Sequence, residues 1–519
     1  MRDSGTRDQS YWHAGREFLQ CFPPLAQILD GPRTGVGQCA GVTVHDVARL
    51  AHVDLSGLRV TLAVGPAVLG SILEAGNKTA AFPHLGLINL ASFLRRFGAT
   101  VTIRDCYADR TFNDREKLAL SDVPRLAAAL SGTPDAGLDR LVRRWAARLE
   151  PSRTDVLAFS SYHATDPLTI VLLKRHLVST GSRIPVVIGG YWQFEENPGW
   201  TSEIEVLMNG EGEVPLLLVC DALARHQDVR WIPGVCSRDE TGALRAGAAT
   251  HAMDVRVAPD LDGFDLGLYT QKTYTRWSGR TVPYQFIIGC ASNCAYCNAE
   301  HKARYKERHP TRVVDDLTRL KERHGVEQFF FLSSAFNTRR AYAEAVLDAM
   351  IERGAPWRWC DCARPQAIDA GLLARMRRAG CDWLNWGVDT PSDRLASRYR
   401  HGVSLEGVAA LLAASSRAGI RNSINVLLGM PHESTADVEE FIRFVDDNRS
   451  VIDWVFFFQY NFIPHSAMGA TPERFGLKRS TDGQGVDEID GLTWAERCRD
   501  GAESLARVRA TLASRHGFT

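Results

Sequence analysis

Two series of short apolar segments, each segment followed by a helical pattern, run along most of this 519-residue chain. The first series begins near residue 59 and the second near residue 284. Apolar runs that alternate with amphipathic helices predict parallel strands in a sheet covered by helices on both faces. Residues 224–280 are polar and irregular and predict a linker with short strands. The chain is therefore expected to be an α/β protein with two sheet-based domains.

The first series has the pattern of a doubly wound, Rossmann-like sheet. Strands are predicted at 59–65, 99–105, 155–161, 184–190 and 204–213. Ligands of such sheets bind outside the carboxyl ends of the strands. The candidate ligand loops are those after Gly65, Ser161, Gly190 and Gly210.

The second series predicts a partial (β/α)6 barrel of the TIM type, with its site at the C-terminal ends of the strands. Its strands are predicted at 284–289, 328–332, 357–361, 383–387, 422–428 and 453–458, and a final helix at 485–515. The predicted organisation is an extension at 1–55, the Rossmann-like domain at 56–235, a linker at 236–280, the barrel at 281–480 and a helical segment at 481–519.

Charge and hydropathy exclude several classes of protein. Lys plus Arg and Asp plus Glu number 61 each, so a net charge of zero gives no support to a nucleic-acid partner. The sequence contains no apolar run of about 18 residues or more, so it predicts no transmembrane helix. The N-terminus lacks the apolar core of a signal peptide. We expect a cytoplasmic protein with no nucleic-acid or membrane partner.

Three of the 12 cysteines form a compact motif. Cys290, Cys294 and Cys297 have the spacing C-x3-C-x2-C directly after a predicted strand, whereas the others are scattered and are expected to be reduced packing residues. Thiolates are soft ligands for iron–sulfur clusters or zinc. Three thiolates would leave one iron of a [4Fe–4S] cluster open to a small molecule, because such a cluster normally takes four. Zinc with His301 as the fourth ligand, and unligated cysteines, are alternatives.

The motif C-x3-C-x-aromatic-C, with Tyr296 as the aromatic residue, follows the first strand of a predicted six-unit α/β series. In this position it resembles the motif of the radical S-adenosylmethionine (SAM) superfamily. The resemblance implies that the three cysteines hold a [4Fe–4S] cluster. The open iron would chelate the amino and carboxylate groups of SAM, and reductive cleavage of SAM would yield a 5′-deoxyadenosyl radical.

Downstream segments are similar to the family's layout. Residues 363–369 resemble its third-strand segment, 386–390 its fourth-strand end, with Asp389 where Glu is usual, and 428–434 its turn after strand five. Residues 332–337 replace the usual Gly-Gly-Glu-like segment. The SAM-binding residues implied by this similarity are Tyr296, Ser333, Ser334, Arg364, Asp389 and Asn425. Trp386 and Tyr460, near strand ends, are further candidates for contact with substrate or adenine.

The first domain resembles the cobalamin-binding domain that precedes this barrel in one large subgroup. The similarity rests on residues 82–90, 186–190 and 208–213, and a generic doubly wound domain is the alternative. The Asp-x-His-x-x-Gly motif is absent, which implies base-off cobalamin without a histidine ligand from the protein. The cobalamin-binding residues implied are Ser160, Ser161, Tyr162, Gly189, Gly190, Gly210 and Glu211, with His163 a further candidate.

These resemblances imply a cobalamin-dependent, class B-like radical SAM methyltransferase acting on an unactivated carbon. A cyclisation or rearrangement without methyl transfer is the first alternative, and a non-catalytic cobalamin or cluster sensor is the second. The expected substrate is a small specialised metabolite, as in antibiotic biosynthesis, and a peptide is the alternative. The expected electron donor is a flavodoxin or ferredoxin.

Overall fold

The computed structural model describes residues 53–66, 83–161, 166–190, 200–238, 244–245, 256–269, 277, 279–292, 294–297, 305–354, 356–399, 403–464, 466–481 and 483–517. The described residues up to 269 belong to one compact unit, and those from 277 onwards belong to another. Within these residues no helix is long and apolar enough to cross a membrane.

The first unit contains five parallel strands in the order β2-β1-β3-β4-β5. The described strands are β1 (Arg59–Val64), β2 (Thr100–Asp105), β3 (Val156–Ser160), β4 (Val186–Gly190), β5 (Val206–Asn209), and the short β6 (Ser237–Arg238) and β7 (Leu244–Arg245). The described α-helices are α1 (Leu85–Arg96), α2 (Asp114–Ala119), α3 (Val123–Leu130), α4 (Ala136–Leu149), α5 (Asp166–Ser179) and α6 (Glu213–Ala224).

Helix α4 shows why the sequence folds in this way locally. Asp135 caps the helix by accepting a hydrogen bond from the Leu138 amide at 2.9 Å. Leu138, Val142 and Trp145 recur at helical spacing and are buried. The expected Rossmann-like, doubly wound sheet is confirmed, and its strand order reverses between β1 and β3, where such folds bind ligands.

The second unit contains six parallel strands in the order β15-β14-β13-β12-β11-β8, which confirms the partial barrel. Its strands are β8 (Thr281–Tyr284), β9 (Ile287–Ile288), β10 (Lys306–Glu307), β11 (Gln328–Phe331), β12 (Arg358–Ala363), β13 (Cys381–Asp389), β14 (Arg421–Leu428), β15 (Trp454–Gln459), β16 (Leu477–Arg479) and β17 (Val486–Glu488). Its described α-helices are α7 (Pro310–His324), α8 (Arg340–Glu352), α9 (Ala370–Arg378), α10 (Asp393–Tyr399), α11 (Leu405–Arg417), α12 (Thr435–Asp447), α13 (Ala467–Ala470) and α14 (Trp494–His516).

The first barrel strand lies earlier than predicted. The sequence favoured 284–289, but the sheet uses β8, and Ile287–Ile288 instead pairs antiparallel with β10. Pro283 within β8 argues against a central strand because proline has no amide hydrogen to donate. Since β8 is the edge strand of the sheet, the proline is tolerated there.

The C-terminal segment also differs from the prediction of one helix over 485–515. Val486–Glu488 is a strand paired antiparallel with β16, and the helix begins at Trp494. Thr493 and Glu496 form a capping box that fixes this start.

The two faces of the barrel strands differ in chemistry. Asn422 donates to the carbonyl of Leu412 in α11, so it faces the helices, and its neighbour Ser423 faces inwards. The inner face is rich in aromatic side chains, and Trp383 and Cys360 pack there with Trp454. The result is an inner surface of mixed aromatic and small polar side chains.

Gly380, between α9 and β13, permits a close approach of the backbone. Its φ is +94°, and an added Cβ would lie 2.2 Å from the carbonyl oxygen of Trp357. Gly354 has a similar φ of +86°, but an added Cβ would meet nothing within 4 Å. Alanine substitutions at these two positions therefore distinguish the free-energy cost of a positive φ from the cost of steric overlap.

We predict that Gly354→Ala costs about 1 kcal/mol through its positive φ, whereas Gly380→Ala costs at least about 2 kcal/mol more because of the overlap. Thermal unfolding followed by circular dichroism should show the larger fall in Tm for Gly380→Ala. Equal falls for the two variants would contradict this account.

Candidate functional site

The three clustered cysteines lie on the loop that follows β9. Gly289, with a φ of +75°, begins the turn out of this strand. Cys290, Cys294 and Cys297 are partly exposed, and none of them forms a disulfide with another described residue. Three soft donors on one short loop fit an iron–sulfur cluster. The alternative zinc ligand, His301, lies outside the described residues.

Three different elements fix the backbone of this cysteine loop. The amide of Ala295 donates to the carbonyl of Tyr399 at the end of α10 (3.2 Å), and the carbonyl of Ala295 accepts from the amide of Met468 in α13 (2.8 Å). The amide of Ala291 donates to Thr338 Oγ1 at 3.0 Å. The loop is therefore held by contacts that are distant in sequence.

Three of the predicted SAM-binding residues meet through one carboxylate. The Tyr296 hydroxyl donates to Asp389 Oδ2 at 2.7 Å, and Asn425 Nδ2 donates to Asp389 Oδ1 at 3.0 Å. Asn425 Oδ1 is buried and has no hydrogen-bond partner among the described residues. This group joins the cysteine loop to the end of β13 and to β14, and it leaves one acceptor available to a ligand.

Asp389 has an unusual backbone conformation. Its φ is +62°, and the register between β13 and β14 shifts between Gly387 and Asp389. Left-handed conformations and bulges are concentrated at functional sites, where they direct a side chain away from the regular pleat. Here the bulge accompanies a carboxylate that receives two side-chain hydrogen bonds.

The loop after β11 carries the predicted residues Ser333 and Ser334. The amide of Ser333 donates to Asp361 Oδ1 at 3.1 Å, and the amide of Phe336 donates to the carbonyl of Cys362 at 2.8 Å. Ser334 is exposed. Thr338, near the end of the same loop, contacts the cysteine loop, so this segment links β12 to the three thiols.

Arg364 follows β12 and is held through its backbone by Asn337. Asn337 Oδ1 accepts from the amide of Arg364 at 2.8 Å, and Asn337 Nδ2 donates to the Arg364 carbonyl at 2.8 Å. Arg364 Nε is buried without a hydrogen-bond partner among the described residues. This nitrogen can donate to an anionic or neutral acceptor on a ligand. Asn337 was missed in the sequence because an asparagine in a loop carries no distinctive pattern.

Trp386 and Tyr460, considered for contact with substrate or adenine, are both buried. Trp386 is fully buried, and its Nε1 donates to Asn422 Oδ1 at 2.8 Å on the helix side of the sheet. Tyr460 is also buried, and its hydroxyl contacts Met468 Sδ at 3.4 Å. Both side chains belong to the core.

Asp361 is a functional candidate that the sequence prediction missed. It is buried in β12 and accepts hydrogen bonds from the amides of Ser333 and Cys362, the latter at 2.8 Å. Burial raises the pKa of Asp361 to about 8. A single acidic residue within an otherwise apolar strand was the available signal. Its position indicates that it shapes the loop carrying Ser333.

The predicted cobalamin-binding residues that the structure describes gather at one edge of the first sheet. Ser160 lies beside Gly189, the amide of Ser161 donates to the Gly189 carbonyl at 2.8 Å, and the amide of Gly210 donates to the Gly190 carbonyl at 3.0 Å. These residues end β3 and β4 or follow β3 and β5. Tyr162 and His163 lie outside the described residues.

The start of α1 approaches the same edge. A Cβ added to Gly86 would lie 3.0 Å from Ser160 Oγ and 3.0 Å from the ring of His84. A larger residue at position 86 would therefore require the side chains of Ser160 and His84 to shift by a few tenths of an ångström. His84 was not among the predicted site residues. Its ring lies beside Gly86 at the edge where the strand order reverses, so it is a further candidate residue there.

Glu211, also predicted to bind cobalamin, belongs to a buried charged group. Arg256 Nη2 lies 3.1 Å from Glu213 and 3.6 Å from Glu211. Burial raises the pKa of Glu213. The contact with Arg256 shows that Glu211 has at least a structural role at this edge.

Comparison with known proteins identifies the second unit. Residues 284–445 match the family model of the Radical SAM superfamily. The chain contains a radical SAM domain. The three thiols, Tyr296 and the strands that carry Asp389 and Asn425 all fall within the matched residues.

Two curated relatives match part of the chain. An uncharacterized methyltransferase from Pyrococcus horikoshii is 21% identical over 46% of this chain and 52% of the relative. An anaerobic magnesium-protoporphyrin IX monomethyl ester cyclase from Synechocystis sp. is 25% identical over 38% of this chain and 40% of the relative. The chain therefore spans about half or less of the length of these relatives.

A solved structure matches both units in fold. It is the radical S-adenosylmethionine methyltransferase TsrM from Kitasatospora setae, with cobalamin and a [4Fe–4S] cluster bound. The match has 19% identity and a TM-score of 0.55, and it covers 84% of this chain and 82% of TsrM. The shared fold is a Rossmann-like domain followed by a radical SAM domain.

We predict that Asp361→Ala lowers Tm by several degrees, because unpairing the buried amides of Ser333 and Cys362 costs about 1–3 kcal/mol each. Asp361→Asn is the control, since it keeps an acceptor oxygen. Thermal unfolding under anaerobic conditions measures both.

The stability of the wild type relative to Asp361→Asn should depend on pH. Burial raises the pKa of folded Asp361 to about 8, whereas the pKa of an aspartate in the unfolded chain is near 4. Between these values the folded protein binds more protons at this site, so the site loses stability as the pH rises. The Tm of Asp361→Asn relative to the wild type should therefore rise from about pH 4 to pH 8 and then level off. A difference that is independent of pH would contradict the assignment.

Proposed function

We propose that this protein is a cobalamin-dependent radical SAM methyltransferase that methylates an unactivated carbon of a small specialised metabolite. The observation that carries the proposal is the cluster of three cysteines on one short loop of a radical SAM domain. Tyr296 and Asp389 join this loop to Asn425. The fold match to TsrM over both units supports the choice of cobalamin.

Cys290, Cys294 and Cys297 would hold the [4Fe–4S] cluster. When bound and reduced, that cluster would supply the electron for cleavage of SAM to methionine and a 5′-deoxyadenosyl radical. The protein fixes the loop that carries the three cysteines through the backbone of Ala291 and Ala295. A flavodoxin or ferredoxin would deliver the electron.

SAM would bind near Arg364, Asp389 and Asn425, which follow β12, end β13 and lie within β14, respectively. Tyr296, held by Asp389, presents a fixed aromatic ring beside the cysteine loop. Asn425 Oδ1 and Arg364 Nε are buried atoms that have no partner among the described residues, and they suit a donor and an acceptor of the cofactor, respectively. Ser333 and Ser334 are proposed to hold the methionyl end, since they replace the family's usual segment.

Cobalamin would bind at the carboxyl edge of the first sheet, through Ser160, Ser161, Gly189, Gly190, Gly210, Glu211 and Tyr162. When bound, it supplies the methyl group. The strand order reverses at this edge, and glycine at position 86 lets α1 approach Ser160. We propose that the cobalt is base-off and has no histidine ligand from the protein.

An apolar substrate carbon suits the inner face of the barrel. Trp454, Phe456 and Phe458 alternate along β15, and the Phe456 and Phe458 rings are stacked with centroids 6.5 Å apart. Phe458 is 48% exposed, which is unusual for a large apolar side chain at the end of a barrel strand. Such a surface supports a substrate with an apolar part.

A cyclisation or rearrangement is the second candidate. The relative from Synechocystis sp., a cyclase, supports this alternative, while the relative from Pyrococcus horikoshii is a methyltransferase. A non-catalytic cobalamin or cluster sensor is less favoured, because Asn425 Oδ1 and Arg364 Nε, which are buried without a partner among the described residues, suit a bound SAM molecule.

We predict that replacing Cys290, Cys294 and Cys297 together by Ala abolishes the iron and sulfide content after anaerobic reconstitution and all 5′-deoxyadenosine formation. Hydroxocobalamin should still co-elute with this variant in gel filtration, because the residues proposed to bind it lie in the first unit. Cys498→Ala, outside the loop, is the control for loss of a thiol. A triple variant that retains its cluster would refute the ligand assignment, and a wild-type protein that is active without retained cobalamin would refute the cobalamin assignment.

We predict that the wild-type enzyme with its true substrate forms S-adenosylhomocysteine and 5′-deoxyadenosine in equal amounts, because one SAM donates a methyl group and another is cleaved. Chromatography of both products under anaerobic turnover measures the ratio. The rearrangement would give 5′-deoxyadenosine alone, and a radical-free methylation would give S-adenosylhomocysteine alone. Either of those outcomes would overturn the proposed reaction.

A further inference from the structure

The turn that follows β14 has a constrained backbone. Gly429 has a φ of +82° and His432 a φ of +62°. Glu433 is buried, and its Oε2 accepts a hydrogen bond from the Gly429 amide at 2.9 Å, which closes the turn. The turn begins directly after the strand that carries Asn425, so a shift of the turn changes the end of that strand.

A buried ion pair from the C-terminal segment holds this turn. Arg497 in α14 is 3% exposed and donates from Nε and Nη2 to Glu488 Oε1 at 2.9 and 2.5 Å. Glu488 Oε1 also accepts from the amide of His432 at 2.7 Å, and Arg497 Nη1 donates to the carbonyl of Glu433 at 2.9 Å. The pair therefore binds the turn through two consecutive backbone groups.

Helix α14 also touches the turn backbone directly. A Cβ added to Gly501 would lie 2.6 Å from the Cα of Gly429, closer than two such atoms can approach without movement. Glycine in the middle of a helix is destabilising relative to alanine. The close approach of the two backbones accounts for glycine at this position.

We propose that Arg497 and Gly501 are positioning residues that set the affinity for SAM by holding the 429–433 turn and, with it, Asn425, without themselves contacting SAM. This inference rests on the proposed function. The chain of contacts runs from α14 to Gly429 and along β14 to Asn425, whose Nδ2 donates to Asp389.

The matched test compares Gly501→Ala with Gly407→Ala in the reconstituted full-length protein. Gly407 is also helical, but an added Cβ there would lie 3.5 Å from its nearest neighbours, an ordinary contact distance. Equilibrium dialysis with labelled SAM gives Kd, and iron and sulfide analysis gives cluster content. Coupling through a packed element is typically worth about 0.5–2 kcal/mol, so Gly501→Ala should weaken SAM binding by about two- to thirtyfold.

The expected result is a raised Kd, and a raised KM for SAM with little change in kcat, at unchanged cluster content. Gly407→Ala should match the wild type. A folded Gly501→Ala protein with its full cluster and wild-type Kd would overturn the inference.

A second variant keeps the test decisive if Gly501→Ala loses its fold or its cluster. Arg497→Lys retains a charge for Glu488 but loses the planar fork that also reaches the Glu433 carbonyl. It should raise Kd, and a wild-type Kd for this folded variant would overturn the inference. If neither the wild type nor Gly407→Ala binds SAM, the proposed function itself fails and this inference fails with it.

Discussion

The carboxylate of Asp389 joins the elements on which the candidate SAM site depends. It accepts one hydrogen bond from Tyr296, on the cysteine loop, and another from Asn425, on β14, while its own backbone leaves the regular strand at a bulge. Without this acceptor the phenol would lose a buried partner, and the loop would lose its side-chain link to β13. A left-handed φ at a non-glycine residue costs free energy, which the two hydrogen bonds help to offset.

A second group of polar contacts holds the loop after β11. Buried Asp361 accepts a hydrogen bond from the amide of Ser333, and Asn337 accepts one from the amide of Arg364. Thr338 then contacts the cysteine loop through Ala291. This segment replaces the Gly-Gly-Glu-like sequence expected after the second strand, and its shape depends on side chains of β12 instead of on glycines.

The C-terminal segment contributes to the barrel through buried charge as well as through packing. A buried ion pair is stabilising only when its remaining hydrogen-bonding groups are also satisfied. Arg497 meets this condition because it donates to Glu488, to the Glu433 carbonyl and to Asp500. The same pair gives the left-handed turn at His432 a defined geometry.

The sequence by itself determined the alternation of strands and helices and the three clustered thiols. Both are local patterns: period, caps and short spacing are properties of neighbouring residues. Only the tertiary structure decided that Tyr296, Asp389 and Asn425 meet, because Tyr296 and Asp389 are 93 residues apart and Asn425 and Asp389 are 36 apart. It likewise placed Pro283 in β8, where the edge of the sheet tolerates a proline, and made a strand of Val486–Glu488, which needs β16 as its partner. Such pairings depend on which segments become neighbours in space, and no local pattern records that.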